Sequence, residues 1–330
     1  MENVLKIGII GCGAIGKDHC RRIIETVPGA TVVAVSDYVA AAADDTAAKY
    51  GIKSYGNDCD GMIKDPEVEA VVITSIDPTH HDYVMKTLAE EKWCFCEKPL
   101  SQNAADCEDI IKREQEIGKR LVQVGFMRHY DRGYAEMKRI IDSGEIGKPL
   151  LIKCCHRNVA QGPGFKTENG VTNVAIHELD ICRWLLGENL NEVAVRFPRA
   201  TCFAEGTCQD PQLVLMQSDS GVLIDVEVSG NSYYGYEILC ELVCEKGTIR
   251  LPVAAEPIVR SYLQCGQAIP EDWTNRFVVA YQEELQHWVD YLQGKTDVPG
   301  PGAEDGYEAC KISDALIKAQ TTGQWETVEA

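Results

Sequence analysis

Residues 5–19 read LKIGIIGCGAIGKDH, and this stretch decides the first half of the fold. Leu5–Ile10 is an apolar run of strand length. Gly11-Cys12-Gly13-Ala14-Ile15-Gly16 follows without a spacer and leads into a helix expected through Thr26. A glycine triplet of this spacing gains weight only between a strand and a helix, which is where it stands. Gly11 permits the tight turn, Gly13 lets backbone approach a pyrophosphate, and Gly16 lets the helix pack closely on the strand. Ala14 and Ile15 fall in the opening turn of that helix, whose unpaired N–H groups and positive potential suit phosphate oxygens.

The following residues support a dinucleotide reading. Thr31–Ser36 is a second strand, and Asp37 at its end lies about 20 residues beyond the glycines, the spacing of a ribose-binding acid. Its carboxylate can accept both hydrogen bonds of an adenosine ribose diol and would repel a 2′-phosphate. Tyr38-Val-Ala-Ala-Ala-Ala offers no basic residue to hold such a phosphate, so NAD is expected rather than NADP. A helix over Ala40–Tyr50, a strand over Ala70–Thr74, a helix over Tyr83–Glu90 and a strand over Trp93–Cys96 come next. Then follow a helix over Ala104–Ile117 and a strand over Leu121–Val124. Strands alternating with helices imply a doubly wound parallel sheet, a Rossmann α/β fold, over residues 1–125.

After Gly125 the rhythm changes. A helix ends at Lys138–Ser143, and strands are expected over Leu151–His156, Glu192–Phe197, Leu213–Gln217, Val222–Ser229, Glu237–Cys244 and Thr248–Leu251. Most connections are short Gly, Asp or Ser turns, and only one strong helix, Ile176–Leu186, interrupts them. Residues 126–330 are therefore expected to be an α+β domain with a large, mostly antiparallel open sheet. Phe277–Leu292 and Tyr307–Gln320 are amphipathic closing helices, free to return to the first domain, and a ligand site is expected between the two domains.

Composition narrows the function. The 330 residues carry a formal charge of −19, which would repel a phosphate backbone or an anionic membrane surface, so no nucleic acid and no membrane is expected as partner. No apolar run approaches the roughly 20 residues that span a bilayer. The opening MENVLKIGIIGCG lacks a signal-peptide pattern, so a cytoplasmic setting with reduced thiols is expected. The 15 cysteines form no CxxC. Cys94–Cys96, Cys154–Cys155 and Cys240–Cys244 sit in apolar strand-like runs, which points to core packing and to no metal.

Two constellations carry chemistry. Glu97-Lys98-Pro99 follows a strand, and a residue before proline is held extended, which puts Lys98 at the strand's carboxyl end where open α/β sheets bind ligands. A lysine there can orient a hydroxyl and stabilise negative charge as its proton leaves, though a solvated surface lysine would read the same. In Asn173-Val-Ala-Ile-His177-Glu-Leu-Asp180, helical spacing puts Asn173 and His177 on one face, with Asp180 three residues on. An imidazole is a suitable base for an alcohol proton, and a packed or capping histidine is the alternative.

Together with GCGAIGKDH, WCFCEKPLS, GKRLVQVGFMRHYDRGY, CHRN, IHELDICRWLL and YYGYEILCE, these segments resemble, in order, the glucose-fructose oxidoreductase/inositol dehydrogenase (Gfo/Idh/MocA) family, and within it the inositol 2-dehydrogenase branch. The resemblance runs from about residue 5 to residue 320. It implies NAD-dependent oxidation of a secondary ring hydroxyl of a cyclic polyol, with myo-inositol going to 2-keto-myo-inositol (scyllo-inosose). It implies His177 as the general base and Lys98 as the group stabilising the carbinol oxygen while the hydride passes to the nicotinamide. Arg128, His156, Asn158 and Tyr236 match positions that hold the remaining ring hydroxyls, and Glu97 and Lys98 fall among the cofactor contacts. His19 and His80 resemble positions near the cofactor, with helix capping the expected job of both. A homotetramer built through the open face of the second sheet is also implied. One departure is Asn173, where inositol dehydrogenases usually carry aspartate. Asparagine cannot supply the charge that raises histidine basicity. A different cyclitol, a sugar or a glycoside such as a glucose-like ring oxidised at C3 is the alternative substrate. The remote alternative is a non-catalytic NAD- or sugar-sensing regulator, against which the retention of Lys98 and His177 argues.

Overall fold

Ile7, Ile9 and Ile10 have almost no exposed surface, and a short apolar run buried on both faces is an interior strand of a parallel sheet. That strand is β1 (Leu5–Ile10). After it come α1 (Ala14–Thr26), β2 (Ala30–Ser36), α2 (Ala40–Tyr50), β3 (Lys53–Ser54), α3 (Cys59–Lys64), β4 (Ala70–Ile73), α4 (His80–Ala89), β5 (Trp93–Glu97), α5 (Ala104–Ile117) and β6 (Val122–Gly125). The computed structural model describes residues 4–252 and 258–329. The strands are parallel and lie in the order β3-β2-β1-β4-β5-β6. The order reverses beside β1, so β1 and β4 flank the crevice in which a doubly wound sheet takes its ligand.

The second unit begins with α6 (Arg132–Ser143) and β7 (Pro149–Arg157). A π-helical turn at Gly170–Val174 leads into α7 (Ile176–Leu186). Then come β8 (Leu190–Arg196), β9 (Gln212–Ser218), β10 (Leu223–Ser229), β11 (Glu237–Cys244), β12 (Gly247–Arg250) and the exposed hairpin β13 (Ile258–Ser261) and β14 (Gln264–Gln267). The helices α8 (Val278–Leu292) and α9 (Ala303–Thr322) and the short β15 (Glu326–Thr327) close the chain. The large sheet has the order β12-β11-β7-β10-β9-β8-β15 and is antiparallel except where β10 runs parallel to β7. Its strands alternate as one-sided strands should. Ile152, Cys154 and His156 of β7 are buried on one face, while on the other Lys153 is exposed and Leu151 and Arg157 are partly exposed, with Cys155 buried between them.

The chain divides into two compact units, Met1–Met127 with Tyr281–Cys310, and Arg128–Ala280 with Lys311–Ala330. The first unit therefore takes in a late segment that a simple division after residue 125 leaves with the second. The reason is packing. Leu285, Trp288 and Val289 recur at helical spacing along α8 and join the cluster of Ile7, Val35, Val72 and Phe95 that fills one side of the parallel sheet. Trp288 is almost wholly buried and meets Phe95 edge-on, ring centroids 5.5 Å apart. Residues of this kind cost about 3–5 kcal/mol when truncated in a core, which makes α8 an integral layer of the first unit.

All fifteen cysteines are unpaired thiols, and only Cys202 and Cys265 are exposed. Among the described residues no helix is long and apolar enough to cross a membrane, and no three His, Cys, Asp or Glu side chains gather into a metal-binding group.

Candidate active site

The glycine turn has the geometry its sequence requires. Gly11 takes φ +99°, and a Cβ there would lie 2.6 Å from the backbone of Thr74 and Ser75. A Cβ on Gly16 would sit 2.0 Å from the Gly11 carbonyl oxygen, so the helix approaches the turn too closely for any side chain. Gly13 faces open space and gives the helix no side-chain cap. Ala14 is exposed and Ile15 half-buried at the same helix end, where the first N–H groups point to an incoming anion. Asp37 stands at the end of β2 with one carboxylate oxygen 2.6 Å from the Cys12 N–H and the other 2.8 Å from the Val39 N–H. These residues fit a dinucleotide: an uncapped helix end for the pyrophosphate and a fixed carboxylate beside it for the ribose. Gly16→Ala should weaken NADH binding by at least about tenfold, some 1.4 kcal/mol, in a fluorescence titration. Unchanged affinity would show that the turn is not the phosphate cradle.

Lys98 is half-buried just beyond β5, at the sheet's carboxyl edge. Glu97 turns inward. It is 6% exposed, with one oxygen 2.8 Å from His19 Nε2 and the other accepting the Lys98 backbone N–H at 3.1 Å. The expected capping role of His19 and His80 is not what they do. His19 lies within α1 and reaches across to Glu97, while the His80 ring meets the carbonyls of Pro99 at 2.6 Å and Ser75 at 3.0 Å. Both rings are buried, so they spend their polar atoms on distant backbone and side-chain groups instead of on their own helix ends.

In the second unit the structure brings His177, His156, Tyr236 and Arg128 together. His177 opens the first turn of α7, and its ring centroid lies 6.0 Å from that of His156. Tyr236 meets His156 edge-on at 5.9 Å. Burial raises the Tyr236 phenol above its usual range, so it remains a neutral donor. Asn158 lies two residues past His156, where β7 ends, its backbone tied to Ser229 and Ser232. Asn173 is half-buried in the π turn, and the Ala175 N–H bonds to the Gly170 carbonyl across that turn at 2.9 Å. It therefore does not share a regular α-helix with His177 as helical spacing suggests; a wider turn separates them, of the kind that recurs at functional sites. Asp180 bonds His129 at 2.8 Å, and His129 stacks on Trp184.

Arg128 forms a buried ion pair. Its guanidinium is 1% exposed and bonds Glu178, which has no exposed surface at all. Burial pushes the Glu178 carboxyl up, yet the Arg128 guanidinium and His156 outweigh this and hold it below the usual carboxylate range. The second Glu178 oxygen is 3.0 Å from His156 Nδ1. Arg128 Nη2 lies 3.2 Å from the same nitrogen, but a carboxylate is the better partner for an imidazole N–H. Glu178 thus fixes the His156 tautomer with Nδ1 protonated, and Nε2 becomes the atom suited to accept a hydroxyl hydrogen. Sequence reading passed over Glu178. The signal was there: a carboxylate inside the apolar run IHELDICRWLL needs a buried cation, and Arg128 supplies it.

This arrangement gathers the His156 ring and the Tyr236 phenol beside the buried Arg128–Glu178 pair, next to the His177 imidazole. The family model described as the oxidoreductase family with an NAD-binding Rossmann fold matches residues 5–126, and that of the Gfo/Idh/MocA C-terminal domain matches residues 134–250. The chain belongs to the Gfo/Idh/MocA oxidoreductase family. Among its Gfo/Idh/MocA relatives, the inositol 2-dehydrogenase of Ralstonia nicotianae is 45% identical over 327 residues, covering 98% of this chain and 96% of that one. That of Klebsiella pneumoniae is 45% identical over 322 residues, covering 97% and 95%. The crystal structure of myo-inositol dehydrogenase from Lactobacillus casei, in complex with NAD(H) and myo-inositol, superposes with a TM-score of 0.94 at 33% identity over 99% of this chain and 97% of that one. Scyllo-inositol dehydrogenase from the same organism shares the fold with a TM-score of 0.90 at 24% identity, over 99% of this chain and all of that one.

Proposed function

We propose that the chain is an NAD-dependent dehydrogenase that oxidises the C2 hydroxyl of myo-inositol to the ketone, scyllo-inosose. The observation that carries this reading is the 45% identity to inositol 2-dehydrogenases over nearly the whole chain. The glycine turn, Ala14, Ile15 and Asp37 would hold NAD, which supplies the hydride acceptor. His177 takes the hydroxyl proton. Lys98 orients the carbinol oxygen and stabilises it while the C–O bond becomes a carbonyl. His156 Nε2, Asn158 and the Tyr236 hydroxyl bind the other ring hydroxyls, and Arg128 with Glu178 fixes His156 from behind. Neutral donors and acceptors of this kind discriminate strongly among stereoisomers, because a misplaced hydroxyl leaves a buried polar group unpaired.

Asn173 favours a second reading, in which another cyclitol or a glucose-like ring is the substrate. Initial rates of NADH formation with myo-, scyllo- and chiro-inositol, glucose and an aryl glucoside separate the two, with NADP run in parallel. A dominant rate with myo-inositol and NAD is expected. Activity confined to a glucose-like ring would replace the substrate while leaving the cofactor and chemistry in place, and a preference for NADP would remove the role given to Asp37.

The protein is further proposed to work in the cytoplasm as a homotetramer. Support comes from the outer face of the large sheet, where Leu213, Leu215, Leu239 and Val243 stand half-exposed around the Arg157–Glu227 and Arg157–Glu237 ion pairs. A monomeric mass by light scattering at micromolar concentration would remove this proposal.

A further inference from the structure

Two buried histidines bear on Lys98 from opposite sides. His19 Nε2 contacts Glu97, whose other oxygen accepts the Lys98 backbone N–H. Its second ring nitrogen, Nδ1, is buried with no hydrogen-bond partner among the described residues, and the ring lies against the edges of Phe95 and Tyr281 at 5.8 and 5.7 Å. An N–H at Nδ1 would be buried without an acceptor, so the ring carries its proton on Nε2 and donates it to Glu97. On the far side of Lys98, the Pro99 carbonyl lies 2.6 Å from His80 Nδ1.

Both contacts lead back to the glycine turn. His19 belongs to α1, the helix that the turn opens. His80 Nε2 meets the Ser75 carbonyl at 3.0 Å, and the neighbouring Thr74 hydroxyl donates to the Gly11 carbonyl at 2.8 Å. The residues on either side of Lys98 are thus joined, through side chains with almost no exposed surface, to the two ends of the turn that would carry the cofactor's phosphates. Apolar rings would fill the same space without the cost of burying polar atoms. We infer that His19 and His80 are positioning residues: acting through Glu97 and the Pro99 carbonyl, they register Lys98 against the cofactor turn. This rests on the role given above to Lys98.

The test is a double-mutant cycle. His19→Phe keeps an aromatic ring in the same space but cannot donate to Glu97, whereas His19→Gln keeps an N–H donor. Misplacing a reacting group by about 1 Å can cost about 100-fold, so His19→Phe should lower kcat by about 10- to 100-fold. KM for both substrates, NADH affinity by fluorescence and the thermal midpoint should stay close to the parent values, and His19→Gln should recover most of the rate. Combined with Lys98→Ala, His19→Phe should cause no additional loss. Multiplicative losses in the double variant, or a parent-like kcat in His19→Phe while Lys98→Ala is slow, would overturn the proposal alone. A fast Lys98→Ala would overturn the role of Lys98 and the proposal with it. His80→Leu against His80→Asn is the second arm, read in the same way, and decides the matter if His19→Phe does not fold.

Discussion

His177→Ala is expected to lower turnover with myo-inositol by about 100- to 10,000-fold, the range that a positioned acid–base group contributes, and to leave NADH affinity unchanged. The side chain is 7% exposed, and its ring stands beside His156 in the group that would hold the polyol. The nucleotide contacts proposed above, by contrast, lie at the turn after β1 and at the end of β2. Loss of the proposed base should therefore remove proton transfer without touching the proposed phosphate and ribose contacts. Lys98→Ala should give a loss of the same order for a different reason: the carbinol oxygen would lose the cation proposed to orient it. Stopped-flow measurement of the first turnover, with NADH titrated separately, checks both. Near-normal turnover in either variant would remove that residue from the mechanism.

Glu178→Ala is expected to destabilise the protein by about 3–5 kcal/mol, because it leaves the Arg128 guanidinium buried and unpaired. Nothing near the pair offers solvent as a substitute: both side chains are at most 1% exposed. The linked pH dependence has a definite sign. The folded-state Glu178 carboxyl lies below its ordinary range, so its contribution is complete above about pH 4.3, where an unfolded glutamate titrates, and is lost as pH falls through the folded value. Urea unfolding at neutral and acid pH measures both effects. Arg128→Met with Glu178→Leu, which removes both charges, should recover much of the stability and flatten the acid limb. Turnover should stay low in that double variant, because His156 has lost the group that sets its tautomer. A double variant with normal turnover would show that the ion pair serves the fold alone.

Legibility in the sequence followed the range of the interactions. The turn GCGAIG, the strands β1 and β11 and the helices α2, α5 and α7 stand at the residues their patterns predict, since glycine spacing and apolar periodicity are local. The parallel pairing of β7 with β10 was not legible, because a predominance of short connections predicts antiparallel neighbours. The return of α8 to the first unit was left open by its amphipathic pattern but not fixed by it: its apolar stripe is local, and the partners Val35, Val72 and Phe95 are not. Of the residues carried by compact motifs, His177, His156 and Tyr236 stand together in the second unit, and Lys98 stands at the carboxyl end of β5 in the first. Those that act through a distant partner were missed or misread. Glu178 needed Arg128 fifty residues away, and His19 needed Glu97, so neither pairing leaves a periodic trace. The π turn at Asn173 is of the same kind, since nothing in its sequence distinguishes it from the start of an ordinary helix.

The central claim is that this chain removes the hydrogen from C2 of myo-inositol and delivers it to NAD. The most direct test uses myo-inositol deuterated at C2, with mass spectrometry of the reduced cofactor. The expected result is NADH carrying the deuterium, together with a ketone at C2. Unlabelled NADH formed from the deuterated polyol, or no cofactor reduction at all, would contradict the account.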